Sequence, residues 1–225
     1  MTPAEIVLAA LAVLGAYLVG AIPVGFVVGK LFFNTDLFKV GSKSMGATNA
    51  FRSIGWHAGA VVLLGDLLKG AVPALIIGLA MPAHPEVQAI GGVAAVVGHS
   101  KSIFAGLRGG RGVATGIGAA IVIFPVAAMF GVPIGVVIVI VVRYVSLGSM
   151  AGSLITLVAG LIWYFSGLWS SHWGLVFVAP AVLLIIIQHR ANIWRLTHGT
   201  ELRLAEWPTY FAARPVGRGE RRRRG

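Results

Sequence analysis

The chain has 225 residues, 57% of them hydrophobic, and a mean hydropathy of +0.90. A soluble domain needs a largely polar surface, so this composition excludes one and points to a single all-α domain of helices packed in lipid. The 18 Lys and Arg against 7 Asp and Glu give a formal net charge of +11, and the absence of cysteine excludes disulfides, thiolate metal sites and a cysteine nucleophile.

Taken in order, the hydrophobic runs predict spans over 4–31, 56–80, 88–105, 112–128, 131–143, 147–168 and 173–190. The fold class is therefore an all-α integral membrane protein, a bundle of about seven transmembrane helices crossing a hydrocarbon core about 30 Å thick. Glu5 stands where a cleavable signal would carry a basic region, so the first span is read as retained. The run over 112–142 is too long for one ordinary helix, and Pro125, Gly131 and Pro133 predict a turn within it.

Charge orients these spans. The N-terminus and the segments 81–87, 124–133 and 166–172 contain no Lys or Arg. The alternate segments hold Lys30, Lys39, Lys43 and Arg52, then Lys101, Arg108 and Arg111, then Arg143, then the C-terminal arginines. The positive-inside rule places the cationic side and the C-terminus in the cytoplasm and the N-terminus outside, which requires an odd number of spans. Lys69 is the one cation this alternation leaves over, inside the second span three residues after Asp66, where the two can neutralise each other on one helix face. Residues 1–206 form the predicted membrane domain, and 207–225, with Arg218, Arg221, Arg222, Arg223 and Arg224, a basic disordered cytoplasmic tail without an apolar face to bury. Alone the tail resembles an RNA-binding stretch. Directly after a last span, such a run fixes topology and meets anionic headgroups at about 1 kcal/mol per cation, so membrane lipids and no nucleic acid are the expected partners.

Three cationic segments can carry chemistry. The first reads Gly41-Ser42-Lys43-Ser44-Met45-Gly46-Ala47-Thr48-Asn49-Ala50-Phe51-Arg52; Ser42, Thr48, Asn49 and Arg52 offer donors suited to an anion, while Thr48 or Asn49 could equally cap a following helix. The second centres on Arg108-Gly109-Gly110-Arg111-Gly112, just before an apolar helical run that includes Thr115. Consecutive glycines can aim N–H groups at one point, and a helix N-terminus adds partial positive charge, so this is a natural phosphate site flanked by guanidinium groups. Walker A spacing is absent, and glycine for helix packing alone is the competing reading. In the third, a continued helix would bring His189 and Asn192 to one face, with Arg195 nearby and Glu201 beyond it; Arg190 could be a topological anchor. Arg143, Ser146 and Ser149 make a smaller polar group at the junction of the fifth and sixth runs.

Together these segments resemble the PlsY family, the bacterial acyl-phosphate:glycerol-3-phosphate acyltransferases. The resemblance rests on Gly41-Ser42 with Gly46-Ala47-Thr48-Asn49 and Arg52, on Asp66 with Lys69-Gly70, on Gly98-His99, on Gly109-Gly110 with Gly112-Val113-Ala114-Thr115, and on His189-Arg190 with Asn192-Ile193, Arg195, Gly199 and Glu201. Lys43-Ser44-Met45 stand where the family typically has Gly-Asn-Pro, and Arg108 and Arg111 replace its usual lysines. The resemblance implies transfer of an acyl group from acyl phosphate to the first hydroxyl of glycerol-3-phosphate at the cytoplasmic face of the bacterial inner membrane. It implies no cofactor and no metal, and an acyl-phosphate-producing enzyme at the membrane as a further partner. It assigns catalysis to Ser42, Arg52, Arg111, His189 and Asn192. Substrate binding is assigned to Thr48, Asn49, Lys69, His99, Arg108, Gly109, Gly110, Thr115, Ser146, Ser149, Arg195 and Glu201. No His is followed five residues later by Asp, so the His-x4-Asp dyad of other glycerolipid acyltransferases is missing. The implied mechanism needs no protein base, and rests on positioning and charge stabilisation, the donor's own phosphate taking the hydroxyl proton.

Overall fold

The computed structural model describes residues 1–169 and 171–204, whose regular elements are all helices, with no strand among them. In chain order the helices are α1 (Pro3–Ala21), α2 (Val24–Phe33), α3 (Ala47–Ile54), α4 (Trp56–Ala80), α5 (Pro85–Ser100), α6 (Val113–Ile123), α7 (Pro125–Val142), α8 (Val145–Phe165), α9 (Trp173–Gln188) and α10 (Arg190–Thr197), with a 3-10 turn at Ile103–Ala105. Among the described residues, four helical segments are long and apolar enough to cross a membrane, Pro3–Phe33, Trp56–Ala80, Pro125–Val142 and Val145–Phe165, or up to five if the bent pair Trp173–Gln188 and Arg190–Thr197 counts as one span. The tail over 207–225 lies outside the described residues.

Each boundary has a local cause. Thr2 and Glu5 form a reciprocal capping box at the start of α1. Pro23 separates α1 from α2 inside the first predicted span, because it can donate no amide to the ladder. The carbonyls released there are not wasted: Ser102 Oγ donates to Ala21 O and Lys69 Nζ to Ile22 O at 3.0 Å. The third run ends as a helix at Ser100, short of the predicted 105.

The expected turn in the 112–142 run sits earlier than Pro125, Gly131 and Pro133 suggested. The chain breaks at Phe124, with Pro125 opening α7, while Gly131 and Pro133 lie inside that helix. Gly131 is needed there for close packing against α8. A methyl on Gly131 would lie 1.9 Å from Thr156 Oγ1 and 2.5 Å from Gly152 O, and one on Gly152 would lie 2.9 Å from Gly131 O. Gly131-x3-Gly135 on α7 thus meets Gly148-x3-Gly152 on α8, the small-residue seam that lets helix backbones approach in lipid.

Short α6 stands in the middle, packed on α4, α5, α7 and α9. The largest core cluster surrounds it, with Phe124 and Phe177 buried among alanines and valines of α4, α5, α6, α7 and α9. Large apolar side chains such as Leu11, Leu64, Val141 and Ile162 face outward, the reverse of a water-soluble fold.

Candidate active site

In the first motif, α3 begins at Ala47 and Asn49 organises the loop before it. Its buried side-chain amide donates to Leu37 O at 2.9 Å, Val40 O at 3.1 Å and Ser44 O at 2.8 Å, and its oxygen accepts from Ser42 N at 2.8 Å. Four bonds from one carboxamide wrap the loop around α3. Gly41 adopts φ +56° beside it, where any Cβ would fall 2.2 Å from Asn49 Oδ1. The wrapped loop leaves Ser42 Oγ buried without a hydrogen-bond partner. Arg52, buried on the last turn of α3, reaches Leu202 O at 3.4 Å in the C-terminal segment.

In the second motif the chain leaves α5, forms a small loop closed by an antiparallel bridge between Ser102 and Arg108, and returns over the end of α5. Gly110 N donates to His99 O at 3.1 Å. Glycine is required twice: a methyl on Gly109 would lie 2.1 Å from His99 O, and one on Gly110 would lie 2.0 Å from His99 Nε2. Gly112, at φ +83°, caps α6 without a side-chain hydrogen bond. The first amides of α6 therefore remain donors beside Arg111.

In the third motif the helix does not continue as expected. It breaks at His189, and α10 departs at 55° from α9. The break still serves the site. His189 Nδ1 lies 2.8 Å from Ile185 O, and since a carbonyl only accepts, Nδ1 carries the proton and Nε2 is the ring's acceptor. Burial and the adjacent Arg111 charge push this ring down to about 4, so it is neutral near pH 7.

Glu201 gathers the rest. Its Oε1 accepts from Asn192 Nδ2 at 2.6 Å and Ser146 Oγ at 2.8 Å, and its Oε2 from Arg195 Nε at 2.7 Å. Burial raises the carboxyl, but the bonds from Asn192, Ser146 and Arg195 outweigh this and hold it below the usual Glu value. Asn192 Oδ1 stays buried and unpartnered. Burial lowers Arg111 to about 10; Glu201 opposes the shift and Arg195 and Arg52 add to it, so Arg111 remains a cation at neutral pH.

These segments converge on a cavity of about 340 Å³. Of the residues singled out from sequence, Ser42, Thr48, Asn49, His99, Arg111, Ser149 and His189 line it. Arg52, Ser146, Asn192, Arg195 and Glu201 stand behind this wall as a hydrogen-bonded support. Arg108 is not brought in: its guanidinium stacks 4.3 Å above the Phe38 ring, away from the glycines. Thr115 is fully buried against α4, where Gly70 meets its carbonyl. Asp66, read from sequence as the partner of Lys69 and given no site role of its own, also lines the cavity, with Ser44 and Leu204.

A second cavity of about 130 Å³ adjoins the first, sharing Val113, Ile117, Val139 and Ser149 with it. It is an apolar groove between α6, α7, α8 and α9. On α9 it runs from Ile185 to Phe177, about 12 Å at 1.5 Å per residue. Sequence reading did not anticipate this groove, although Gly131-x3-Gly135 and Gly148-x3-Gly152, which thin its walls, were a visible signal.

The chain as a whole is similar to known proteins. A family model described as glycerol-3-phosphate acyltransferase matches residues 10–199. The glycerol-3-phosphate acyltransferase of a Thermus thermophilus strain is 40% identical over 193 residues, covering 85% of this chain and 92% of that protein. The crystal structure of PlsY (YgiH), an integral membrane glycerol 3-phosphate acyltransferase, in its glycerol 3-phosphate form, superposes with a TM-score of 0.82 at 36% identity, covering 90% of this chain and 98% of that one. Its lysphosphatidic acid form gives 0.78 at 34% identity, covering 89% and 98%.

Proposed function

This chain belongs to the PlsY glycerol-3-phosphate acyltransferase family, and we propose that it transfers a fatty acyl group from acyl phosphate to glycerol-3-phosphate, releasing lysophosphatidic acid and phosphate. The observation that carries this reading is the junction of two unlike cavities. A cationic pocket walled by glycine, Ser42 and Arg111 adjoins an apolar groove, the two sharing Val113, Ile117, Val139 and Ser149 in their linings. An anionic head and an alkyl chain can be held side by side there. The related structures in glycerol 3-phosphate and lysphosphatidic acid forms support an acceptor and a product of this kind.

In this reading the phosphate of glycerol-3-phosphate sits at the 109–112 loop, held by Arg111 and the first amides of α6, with Ser42 Oγ as a further donor. Thr48, Lys69, His99, Ser146 and Ser149 complete or brace the binding site, and Arg108, Gly109, Gly110 and Thr115 shape its loop and helix. The acyl chain lies along the groove, bringing its carbonyl to the junction. Neutral His189 accepts through Nε2 from the second hydroxyl of glycerol-3-phosphate and so orients the first, and Arg52, Arg195 and Asn192 favour the charge that develops. The hydroxyl oxygen bonds to the acyl carbon, the acyl carbon–phosphate oxygen bond breaks, and the departing phosphate takes the hydroxyl proton. A His buried beside Arg111 is too weak a base for the alternative.

The runs α1–α2, α4, α5, α6, α7, α8 and α9 then serve as seven spans, with the N-terminus outside and the cavity at the cytoplasmic face of a bacterial inner membrane. Residues 1–206 make up the enzyme, and the basic tail over 207–225 meets anionic lipid. Acyl phosphate reaches the groove from the bilayer or from an enzyme that makes it there.

An anion transporter is the competing class, since buried cations and broken helices also build pathways. Detergent micelles separate the two, because they offer no second compartment. The purified chain in micelles, given acyl phosphate and glycerol-3-phosphate, forms lysophosphatidic acid; failure to form it, with uptake of glycerol-3-phosphate into reconstituted vesicles, would refute the enzymatic reading.

A further inference from the structure

Asp66 and Lys69 lie three residues apart in α4, where an unpaired charge costs several kcal/mol. Lys69 is accounted for by two contacts, Asp66 Oδ1 at 2.9 Å and the Ile22 carbonyl freed by Pro23 at 3.0 Å. Those contacts neutralise the pair without a third group. Yet His99 from the last turn of α5 places Nδ1 3.5 Å from the same Asp66 oxygen, and both side chains are almost fully buried at the cavity wall. The other edge of that imidazole faces the glycine loop, where a single added methyl on Gly110 would lie 2.0 Å from Nε2. The His99 carbonyl meanwhile accepts from Gly110 N at 3.1 Å. One residue therefore holds Gly110 through its backbone and through its ring, immediately before Arg111 and the capping Gly112.

We infer that Asp66 and His99 are positioning residues, Asp66 orienting the His99 ring and the ring serving as the floor that sets the height of the Gly109–Gly112 loop. A five-membered ring can rotate about its last bond, and a carboxylate 3.5 Å from Nδ1 favours the orientation that turns this nitrogen toward it, as outer-shell acids do for ligating histidines. If the ring tilts or is lost, the loop sinks toward α5. Arg111 and the first amides of α6 then leave the position at which they meet a phosphate. The acyl groove lies beyond Val113 and Ile117 and shares neither residue with this stack. The inference rests on the proposed placement of glycerol-3-phosphate at this loop, and it predicts a selective defect in the use of that substrate.

The test is steady-state kinetics of the purified full-length chain with both substrates varied, comparing His99→Leu, His99→Gln, Asp66→Asn and the Asp66→Asn/His99→Leu pair. His99→Leu is expected to raise KM for glycerol-3-phosphate about tenfold or more, the loss of roughly one charge-assisted contact, with less than about a twofold change in KM for acyl phosphate. Gln, which can still face Asp66 and underlie the loop, recovers part of the loss. Because Asp66 acts through His99, the double variant is no worse than His99→Leu alone. Should Asp66→Asn fail to accumulate because Lys69 is left unpaired, Asp66→Asn/Lys69→Met removes both charges and takes its place. Equal increases in both KM values, unchanged KM in His99→Leu, or multiplicative losses in the double variant would overturn the inference. A wild-type chain that makes no lysophosphatidic acid would instead overturn the reading of function.

Discussion

Three donors from two helices converge on the single carboxylate of Glu201, and the same wall holds a histidine that cannot easily gain a proton. Both features bear on His189. Its folded-state value of about 4 lies below the ordinary value near 6.5, so between those limits the unfolded chain binds the extra proton. The stability His189 contributes is present above about 6.5 and lost as pH falls toward 4. The rate with wild-type protein should accordingly show no single ionisation near 6.5, and His189→Asn or His189→Gln should retain more activity than His189→Ala, because an amide can still accept from the substrate hydroxyl. Equally inactive variants together with a wild-type ionisation near 6.5 would make His189 the base. The types of polar residue were legible one by one, because Ser, Asn, Arg and His gathered in apolar sequence need a reason to be there. Their partners were not. Asn49 spends four bonds on its own loop, Arg108 stacks on Phe38, and Glu201 sits twelve residues after His189 yet joins Ser146 from another helix. Such contacts come from tertiary folding and leave no local pattern.

Between elements, glycine decides distance. The α7–α8 seam has no room for side chains at Gly131 or Gly152, and it also forms one wall of the apolar groove. Gly131→Val should separate the helices and destabilise the protein by about 1–3 kcal/mol, the cost typical of overpacking, read as a lower melting temperature in detergent. An unchanged melting temperature would mean that the seam is looser than the 2.5 Å between a methyl on Gly131 and the Gly152 carbonyl implies. Helix positions could be read from hydrophobic runs because lipid-facing helices must be apolar along their length. Helix breaks were harder. Proline reports that an amide is missing, but not whether a neighbouring donor repairs the loss. Pro23 breaks its span and Lys69 and Ser102 satisfy the carbonyls, whereas Pro133 is carried within α7.

For the whole molecule, the exclusion of Lys and Arg from alternate segments is the basis for placing the three motifs on one side, and the structure brings those motifs to one cavity. The sidedness itself is testable in a chain without cysteine. A cysteine at Ser44 should resist an impermeant thiol reagent outside intact cells and react after permeabilisation, while one at Ala83 should react from outside; the reverse pattern would invert the topology. What the linear sequence could not contain is the adjacency of the cationic cavity and the apolar groove, since their common wall draws on Val113, Ile117, Val139 and Ser149 from three helices. That adjacency is the core of the functional account, and one bisubstrate kinetic measurement addresses it. Lysophosphatidic acid formation is followed while glycerol-3-phosphate and acyl phosphate are varied, for wild type, for Gly110→Val in the loop and for Ser153→Leu in the groove. The account predicts that Gly110→Val raises KM for glycerol-3-phosphate about tenfold with little effect on the donor, and that Ser153→Leu does the converse. Equal shifts for both substrates in both variants would contradict it.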